Sequence, residues 1–386
     1  MMNKNEWKKV KLEDVFELQI GRTPSRNNKN YWDNGSNNWI SISDIKENEK
    51  YIEKTKERIT NLAIQDSKIK LVPKNTVIMS FKLSVGKTAI TSQDIYTNEA
   101  IVAFIPKVLN LVDNNFLYYY LQNINWKDGI NKAVKGLTLN KPLISNKIIF
   151  LPDLKIQKQI AKKLDTVFSI LNLKKQQLLE LDKLVKFQFL KLTGNLITNE
   201  KKWNFEILKN ICDVRDGTHD SPKYVENGYP LITSKNITNG FLDFNNVNYI
   251  SKEDFDKINK RSKVDKGDII MPMIGTIGKP IVINEDTPFA IKNVALIKFA
   301  NSHYNNLFIK ELLNSEYFCY IAKKNNRGGT QKFISLSDIR NILIPCIPIE
   351  LQNKFATFVI QAEKCLFESY KLYNSLSFGL NYFNML

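Results

Sequence analysis

The residues best suited to chemistry lie in the segment DGTHDSPKY, residues 216–224. It holds His219, one of only two histidines in the chain, directly before Asp220 and three residues after Asp216. A histidine beside a carboxylate can act as a general base, can ligate a metal, or can only hydrogen-bond a ligand. Glycine and proline in the same segment favour an ordered loop. What this loop does therefore depends on the elements that carry it.

Other catalytic signatures are incomplete or missing. Gly86, Lys87 and Thr88 match the end of a phosphate-binding loop, but Phe81 stands where that motif needs its first glycine. No GxGxxG, GxSxG or HExxH segment occurs, and the Asn/Asp-Pro-Pro-aromatic signature of amino-methyltransferases is absent. The four cysteines form no CxxC pair and lie far from both histidines, which argues against a zinc site. We expect no catalytic residue, no metal and no cofactor bound by this chain.

Composition points to a large, basic protein. The chain has 386 residues, enough for two or three domains, and its hydrophobic content of 43% can build real cores. Lys and Arg number 56 against 39 Asp and Glu, a net charge of +17. Such an excess favours a nucleic-acid partner, although a general bias towards lysine and asparagine would produce it too. Because no signal core and no run of 18 apolar residues occurs, we expect a cytoplasmic protein without a membrane partner.

The sequence repeats itself with a period near 193 residues. WISISDI (39–45) aligns with LITSKNI (231–237), and LVPKNTVIMSFKLSVGKTAI (71–90) aligns with KVDKGDIIMPMIGTIGKPIV (263–282), both at a shift of 192. Each copy starts with short β-branched or aromatic runs between turn residues, continues with a short helical piece, and closes on an apolar strand that ends in proline. A long helical pattern follows each proline. The predicted boundaries are a first domain at 1–152, a central helix at 153–196, a second domain at 197–346 and a C-terminal helix at 347–386.

Both helical segments carry a heptad pattern. From Ile160 to Leu192 eight of ten positions spaced by four and three residues are apolar, and the same spacing runs from Phe355 to Phe383. This pattern predicts two long helices, each about 60 Å in length, that pair antiparallel as a coiled coil. Lys174 and Ser369 interrupt the two seams at their midpoints and are predicted to meet and set the register of the pair. The alternative is that each amphipathic helix packs only on its own domain.

The repeat also bears on His219. The first copy has QIGRTPSRN (19–27) at the equivalent place, which keeps the glycine, threonine, proline and serine but contains neither histidine nor carboxylate. An active site would need its reactive groups, whereas a recognition loop can vary them. We therefore interpret the two segments as two versions of a ligand-reading loop.

These segments resemble the specificity (S) subunit of type I restriction–modification enzymes. DGTHDSPKYVENGYPLITSKNITNG (216–240), MIGTIGKPIVI (273–283) and NRGGTQKFISLSDIRNILIPCIP (326–348) are similar to the start, middle and end of one type of target-recognition domain. WISISDI, FKLSVGKTAI, NEAIVAFIP and LPDLKIQKQIAKKLD fit the same pattern in the first half. Two departures are mild, since GLTLNKP (136–142) lacks the glutamine of GGTQKF and IELQNKF (349–355) has asparagine after its glutamine.

The resemblance implies an α+β fold with two similar α/β target-recognition domains, separated by two long antiparallel coiled-coil helices in a pseudo-two-fold repeat. It also implies that each domain reads half of a bipartite, asymmetric site on double-stranded DNA, while the helices set the unread gap. Two modification subunits and two restriction subunits are the implied protein partners, and they would carry S-adenosylmethionine, ATP and magnesium. A protein-interaction scaffold that never binds DNA, or a His219-dependent enzyme, are the alternatives.

Loop residues that differ between the copies are the candidates for DNA contact, the polar ones through their side chains and Gly328 and Gly329 through close approach of the backbone to the groove. In the first domain they are Arg22, Thr23, Ser25, Arg26, Ser43, Lys82, Ser84, Lys135, Thr138 and Asn140. In the second domain they are Thr218, His219, Asp220, Ser221, Lys235, Asn236, Thr276, Arg327, Gly328, Gly329, Thr330 and Gln331. For each residue ordinary surface solvation is the alternative to contact.

Overall fold

The computed structural model describes residues 7–46, 49–126, 139–238, 240–273, 279–300, 302–325 and 334–385, with the backbone alone at 238, 325, 367 and 369–385. The chain divides into two compact units. One comprises Met1–Asn172 with Leu376–Leu386, and the other comprises Leu173–Ser375.

The first unit mixes short strands and helices. Its strands are β1 (Lys8–Lys11), β2 (Phe16–Ile20), β3 (Asn37–Ile40), β4 (Tyr51–Ile52), β5 (Glu57–Ile59), β6 (Val77–Ser80), β7 (Thr88–Thr91), β8 (Tyr96–Thr97), β9 (Ile101–Pro106) and β10 (Ile148–Leu151). Its helices are α1 (Leu12–Val15), α2 (Asn61–Ser67), α3 (Asn114–Asn123), α4 (Lys141–Ser145) and the start of α5 (Leu154–Thr193). Short 3₁₀ turns occur at Lys29–Tyr31 and Ile42–Asp44.

The second unit contains the same kinds of element. Its strands are β11 (Phe205–Ile207), β12 (Asp213–Asp216), β13 (Tyr224–Val225), β14 (Tyr229–Ile232), β15 (Ile237–Thr238), β16 (Phe241–Leu242), β17 (Asn248–Ile250), β18 (Ile269–Pro272), β19 (Ile281–Val282), β20 (Ala290–Ile291), β21 (Val294–Lys298) and β22 (Leu343–Pro345). Its helices are α6 (Leu208–Ile211), α7 (Lys252–Ser262), α8 (Asn306–Leu313), α9 (Glu316–Asn325), α10 (Leu336–Arg340) and α11 (Ile349–Met385), and a 3₁₀ turn covers Ser234–Asn236.

The sheets of the two units have matching topology. In the first unit β2-β9-β6-β7-β4 form one sheet and β5-β3-β8 another, while β1 pairs with β10. In the second unit the corresponding sets are β12-β21-β18-β19, β17-β14-β20 and β11 with β22. The parallel pairs β3·β8 and β14·β20 recur, as do the antiparallel neighbours of β9 and β21. This repetition confirms the predicted α+β class and its internal duplication.

The differences between the units are local. Strand β13 adds an edge to the second sheet, and β16 pairs with β15, whereas β4 joins the main sheet of the first unit. Helix α9 was not predicted from the sequence. It forms because Phe318 is buried in the second core while Tyr317, Ile321 and Ala322 pack against that core, a helical spacing that the short apolar segment alone did not reveal.

A buried glutamine secures the start of each long helix. Gln157 Nε2 donates to the carbonyl of Pro152 at 2.8 Å, and its Oε1 accepts the backbone N–H of Asp113 at 2.9 Å. Gln352 repeats this arrangement, with its Nε2 at 2.7 Å from the carbonyl of Ile347. Because a buried amide must be paired, these bonds fix the angle at which each helix leaves its domain.

Both arrangements predicted for the heptad positions occur, each over a different stretch: packing of a helix on its own domain, and pairing of the two helices. On α5, Ile160 and Ala161 are buried in the core of the first unit, so this part of the helix packs on its own domain. Within the second unit, Val185 and Phe189 of α5 share one core with α11, and the rings of Phe189 and Phe355 lie 5.6 Å apart.

The helix pair in the second unit is antiparallel. The rings of Phe189 and Phe355 are in contact, and one groove is lined by Leu178, Asp182 and Val185, which precede Phe189 on α5, and by Val359, Glu363 and Leu366, which follow Phe355 on α11. Counted from the Phe189–Phe355 contact, this direction would place Lys174 level with Tyr370, next to Ser369. The side chain of Ser369 lies outside the described ones, and Lys174 Nζ donates to Gln177 at 2.9 Å, so their meeting stays a prediction. Among the described residues no helix is long and apolar enough to cross a membrane.

Candidate nucleic-acid interface

A glycine starts the same loop in both units. After β2, a Cβ placed on Gly21 would lie 2.0 Å from the carbonyl oxygen of Thr97, and after β12 a Cβ on Gly217 would lie 2.4 Å from that of Ile291. No side chain fits at such distances, so both positions require glycine. The N–H of the following residue donates to the same carbonyl, at 2.8 and 3.0 Å respectively. The two loops are therefore equivalent parts of a repeated scaffold.

The side chains that follow the two glycines differ but occupy equivalent positions. Two residues after the glycine, Thr23 in the first unit donates its hydroxyl to the carboxylate of Glu99. In the second unit His219 Nδ1 lies 2.8 Å from Oδ1 of Asn293. Glu99 and Asn293 each stand two residues after the carbonyl that the glycine approaches. Each unit thus joins its first loop to the loop before β9 or β21 through one polar pair.

Arg26 is held within the first unit. Its guanidinium makes two hydrogen bonds to the carboxylate of Glu57, one of them 3.0 Å long, and stacks 3.8 Å from the centre of the Trp32 ring. The hydrogen bond to Glu57 raises the pKa of Arg26 above its ordinary value, partial burial lowers it, and the charges of Glu57 and Glu99 raise it further. The same bond lowers the pKa of Glu57. Arg26 is thus a positioned cation with about half of its side chain exposed, at 50%.

His219 is held from both sides of its ring. Nε2 lies 2.8 Å from Oδ2 of Asp216, and Nδ1 faces Asn293, so both ring nitrogens already have partners. Asp216 is buried, with its side chain only 9% exposed, and its other oxygen pairs with Arg261 of α7. A general base needs a ring nitrogen free to take a proton from a substrate. The arrangement therefore fixes the orientation of the imidazole and does not resemble a catalytic dyad.

A polar cleft with charges of both signs lies beside this loop. Thr218, Asp220 and Ser221 of the loop line it, together with Asp254, Lys257 and Arg261 of α7. Next to it, Lys292 Nζ donates to the Ser221 hydroxyl at 2.7 Å. Cations of this kind suit phosphate oxygens, while the loop hydroxyls and carboxylate can pair with base edges.

Asn236, a predicted DNA contact, stabilises the 3₁₀ turn after β14, and Asp44 stabilises the equivalent turn after β3. Asn236 is 5% exposed, and its Oδ1 accepts both the N–H and the hydroxyl of Thr233, at 3.0 and 2.9 Å. Its Nδ2 donates to two backbone carbonyls. Asp44 has the equivalent role in the first unit, where it accepts from the N–H and hydroxyl of Ser41, both at 2.9 Å. The structure thus gives Asn236 a turn-holding role, and its contact with DNA stays a prediction.

The remaining predicted residues fall into several places. Arg22 Nη1 donates to the carbonyl of Ser67 at 3.0 Å, and the Ser25 carbonyl accepts from the indole N–H of Trp32 at 3.0 Å, so different segments hold these two loop residues. Ser43 and Lys235 lie in the two 3₁₀ turns. Ser84 lines a separate groove against α5, and Asn140 caps α4 by accepting from Leu143 N at 2.9 Å. Lys82 Nζ lies 5.6 Å from the centre of the Phe81 ring.

Several predictions fall outside the described residues. They concern Lys135, Thr138, Thr276, Arg327, Gly328, Gly329, Thr330 and Gln331.

Sequence reasoning missed four contributors to the interface, namely Glu57, Glu99, Arg261 and Asn293. Each lies on a strand, loop or helix far along the chain from the residue it pairs with, so no local motif marks it. Glu99 stands two residues before β9 in NEAIVAFIP and Asn293 one residue before β21 in KNVALIKF, so the order of segments, and not an exact spacing, was the only signal available for them.

The two copies also match one family model. A model described as the type I restriction modification DNA specificity domain matches residues 4–183 and again residues 200–372. The type I restriction enzyme MjaIX specificity subunit of Methanocaldococcus jannaschii is 25% identical over 386 residues, covering 92% of this chain and 86% of that protein. The EcoBI specificity subunit of Escherichia coli is 27% identical over 280 residues, covering 64% of this chain and 58% of that protein.

Solved structures share the fold. The crystal structure of a type I restriction–modification S subunit from M. genitalium superposes with a TM-score of 0.63 at 15% identity, covering 100% of this chain and 96% of that chain. A chain from a structural study of complex assembly and conformational transition in a type I R-M system gives a TM-score of 0.57 at 15% identity, covering 96% and 95%.

Proposed function

Because the chain belongs to the family of type I restriction–modification specificity subunits, we propose that each of its units reads one half of a bipartite DNA site. The match to the family model confirms the family resemblance that the motifs predicted. The two copies of the specificity domain would give each half-site a reader of its own.

One observation supports the proposal most directly. The glycine contact that anchors the loop recurs in both units, yet the polar pair beside it is Thr23 with Glu99 in one and His219 with Asn293 in the other. A recurring backbone contact with exchanged polar groups suits two readers of different base sequences. Because the two units present different polar side chains, they would read different half-sites, and the bipartite site would be asymmetric.

Affinity and specificity would come from different groups. Lys257 and Arg261 beside the second loop, together with the overall charge of +17, would contact phosphates and position the duplex. The polar groups of the loops would then form hydrogen bonds with base edges in a groove of the DNA. The neighbouring carboxylates Asp216 and Glu57 keep Arg261 and Arg26 in defined orientations, which favours geometric selection over unspecific attraction.

The long helices would set the distance between the two reading surfaces and bind the protein partners. We propose that two modification subunits assemble on this chain and that restriction subunits join them. S-adenosylmethionine, ATP and magnesium would then be bound by those subunits, and this chain would contribute recognition without a catalytic step. The engagement of both ring nitrogens of His219 supports a non-catalytic role.

The test is the methylome of a methylation-free host that expresses this chain with its modification subunit. We expect methylation confined to a two-part motif with a fixed unread gap, and none when either protein is omitted. Methylation without a bipartite motif would contradict the proposal. A turnover without DNA that is lost in His219→Ala would favour the enzyme, and assembly of partners without DNA binding would favour the scaffold.

A further inference from the structure

We infer that Glu99 and Asn293 are specificity-determining residues, one in each unit, and that Glu99 selects a base that presents an amino group in the major groove, cytosine or adenine. The inference rests on the proposed function and deepens it. It concerns residues that precede β9 and β21 and that lie outside the two recognition loops identified from the sequence.

Glu99 and Asn293 occupy equivalent positions beside the recognition loops. Glu99 is exposed, it stands two residues beyond the carbonyl that Gly21 approaches, and it receives the hydroxyl of Thr23. Asn293 has the same offset from the carbonyl that Gly217 approaches. The close approach of each glycine, together with the hydrogen bond from the next residue's N–H to the same carbonyl, holds these residues beside the recognition loop. Whatever the recognition loop faces, residues 99 and 293 face as well.

The carboxylate of Glu99 has hydrogen-bonding capacity left for a base. An ionised carboxylate has only acceptors, and the Thr23 bond uses Oε2 of Glu99, so Oε1 can accept another donor. In the major groove the donors are the N4 amino group of cytosine and the N6 amino group of adenine, whereas guanine and thymine offer acceptors. Glu99 would therefore favour cytosine or adenine and repel the edges of guanine and thymine.

The side chain of Asn293 has a different capacity. Its Oδ1 faces His219, while its Nδ2 carries two donors that this contact does not use. Donors match guanine O6 and N7, thymine O4 or adenine N7. Asn293 also has a φ of 56°, in the left-handed region that asparagine and aspartate tolerate better than most residues. The position thus suits a short side chain with an amide or carboxylate.

The negative charge of Glu99 also acts against unspecific binding. A carboxylate facing DNA is repelled by phosphates, so Glu99 costs general affinity wherever no amino group meets it. Thr23 orients this carboxylate, and Arg26 lies close enough for the charge of Glu99 to raise its pKa. The unit therefore holds an oriented negative charge within a basic surface, an arrangement that lowers affinity for wrong bases more than it raises affinity for the right one.

The experiment compares Glu99→Gln, Asn293→Asp and Glu53→Gln in the full chain, each expressed with its modification subunit. Glu53 is an exposed carboxylate of the same unit just after β4 and serves as the matched control. Motifs are read from the methylome, and binding is measured with duplexes that carry the wild-type motif or single-base changes of it.

We expect Glu99→Gln to lose about tenfold of discrimination at one base of one half-site, because its amide can also donate to guanine or thymine. Its binding to unspecific DNA should stay equal or increase, since a repulsive charge is removed. Asn293→Asp should alter one base of the other half-site only, and Glu53→Gln should leave the motif unchanged.

The outcomes separate the inference from its premise. Absence of a bipartite motif for the wild-type chain would overturn the proposed function itself. A wild-type motif that Glu99→Gln or Asn293→Asp leaves unchanged would overturn the inference alone. If Glu99→Gln instead weakens binding to all duplexes equally, Glu99 is a structural support and the inference also fails.

Discussion

At the scale of single residues, many side chains of the interface are hydrogen-bonded or ion-paired to other residues of the protein. Arg26 pairs with Glu57, Arg261 with Asp216, and Asn236 with its own turn. Such pairs fix orientation before a ligand arrives, which reduces the entropy lost on binding. A polar residue in a loop is therefore a base contact only when its hydrogen-bonding groups are not all used internally.

Asn236 provides the test at this scale. Asn236→Ala should lower the free energy of local unfolding of the turn by about 2 kcal/mol, because Thr233 loses a buried acceptor. Asn236→Asp should cost at least as much, because it keeps the acceptor for Thr233 but sets a carboxylate oxygen against the two backbone carbonyls to which Nδ2 now donates. Hydrogen exchange of residues 233–246 in the full chain measures both effects. The methylated motif should stay the same in the aspartate variant, and a changed base at that site would make Asn236 a base contact.

At the scale of elements, each long helix is attached to its own domain by a partly buried lysine. In the first unit Lys50 Nζ lies 2.5 Å from Asp165 of α5, whose carboxylate also accepts the Tyr119 hydroxyl at 2.5 Å. In the second unit Lys310 of α8 lies 2.5 Å from Glu363 of α11 and 2.9 Å from Glu311. In both units an ion pair thus joins the domain to the long helix, from the residue before β4 in the first unit and from α8 in the second.

Lys310→Met should destabilise the second unit by about 3 kcal/mol, because Glu311, with a side chain only 6% exposed, loses its cation. Burial by itself would lower the pKa of Lys310, but the charges of Glu311 and Glu363 offset it and raise the pKa above 10.5. The pair's contribution is therefore complete below pH 10.5 and is lost as the pH rises through the raised value.

Urea denaturation of the full chain at several pH values measures this difference. Lys266→Met is the matched control, since Lys266 and Asp286 form an ion pair with side chains 62% and 91% exposed, which should contribute almost nothing. Equal stability of the two variants would show that the buried pair has no special role.

At the scale of the whole molecule, one chain carries two copies of a fold whose sheets, helix anchors and glycine contacts recur. Duplication keeps the scaffold while each copy changes its exposed groups separately. The charge of +17 is a property of the entire chain and acts on DNA of any sequence.

Binding should accordingly depend steeply on salt. The logarithm of the association constant should fall linearly with the logarithm of salt concentration, with a slope of about −5 or steeper if six or more phosphates are contacted. Fluorescence anisotropy of the assembled complex with a motif duplex measures the slope, and a duplex of shuffled sequence is the control. We expect similar slopes for both and a constant ratio of affinities, whereas a flat plot would exclude phosphate contacts as the source of affinity.

The sequence by itself determined the duplication, the strand-rich domains, the two long helices and the position of the first recognition loop. These features depend on the spacing of apolar residues and on the order of segments along the chain, and each of the two copies shows both. The tertiary structure decided which side chains of the loops are used internally and which distant residues join them. Glu99 follows Thr23 by 76 residues and Arg261 follows Asp216 by 45, so their pairing depends on the order of strands in the sheets. Because sheet order brings together segments with no local relation, spacing along the chain could not reveal these partners.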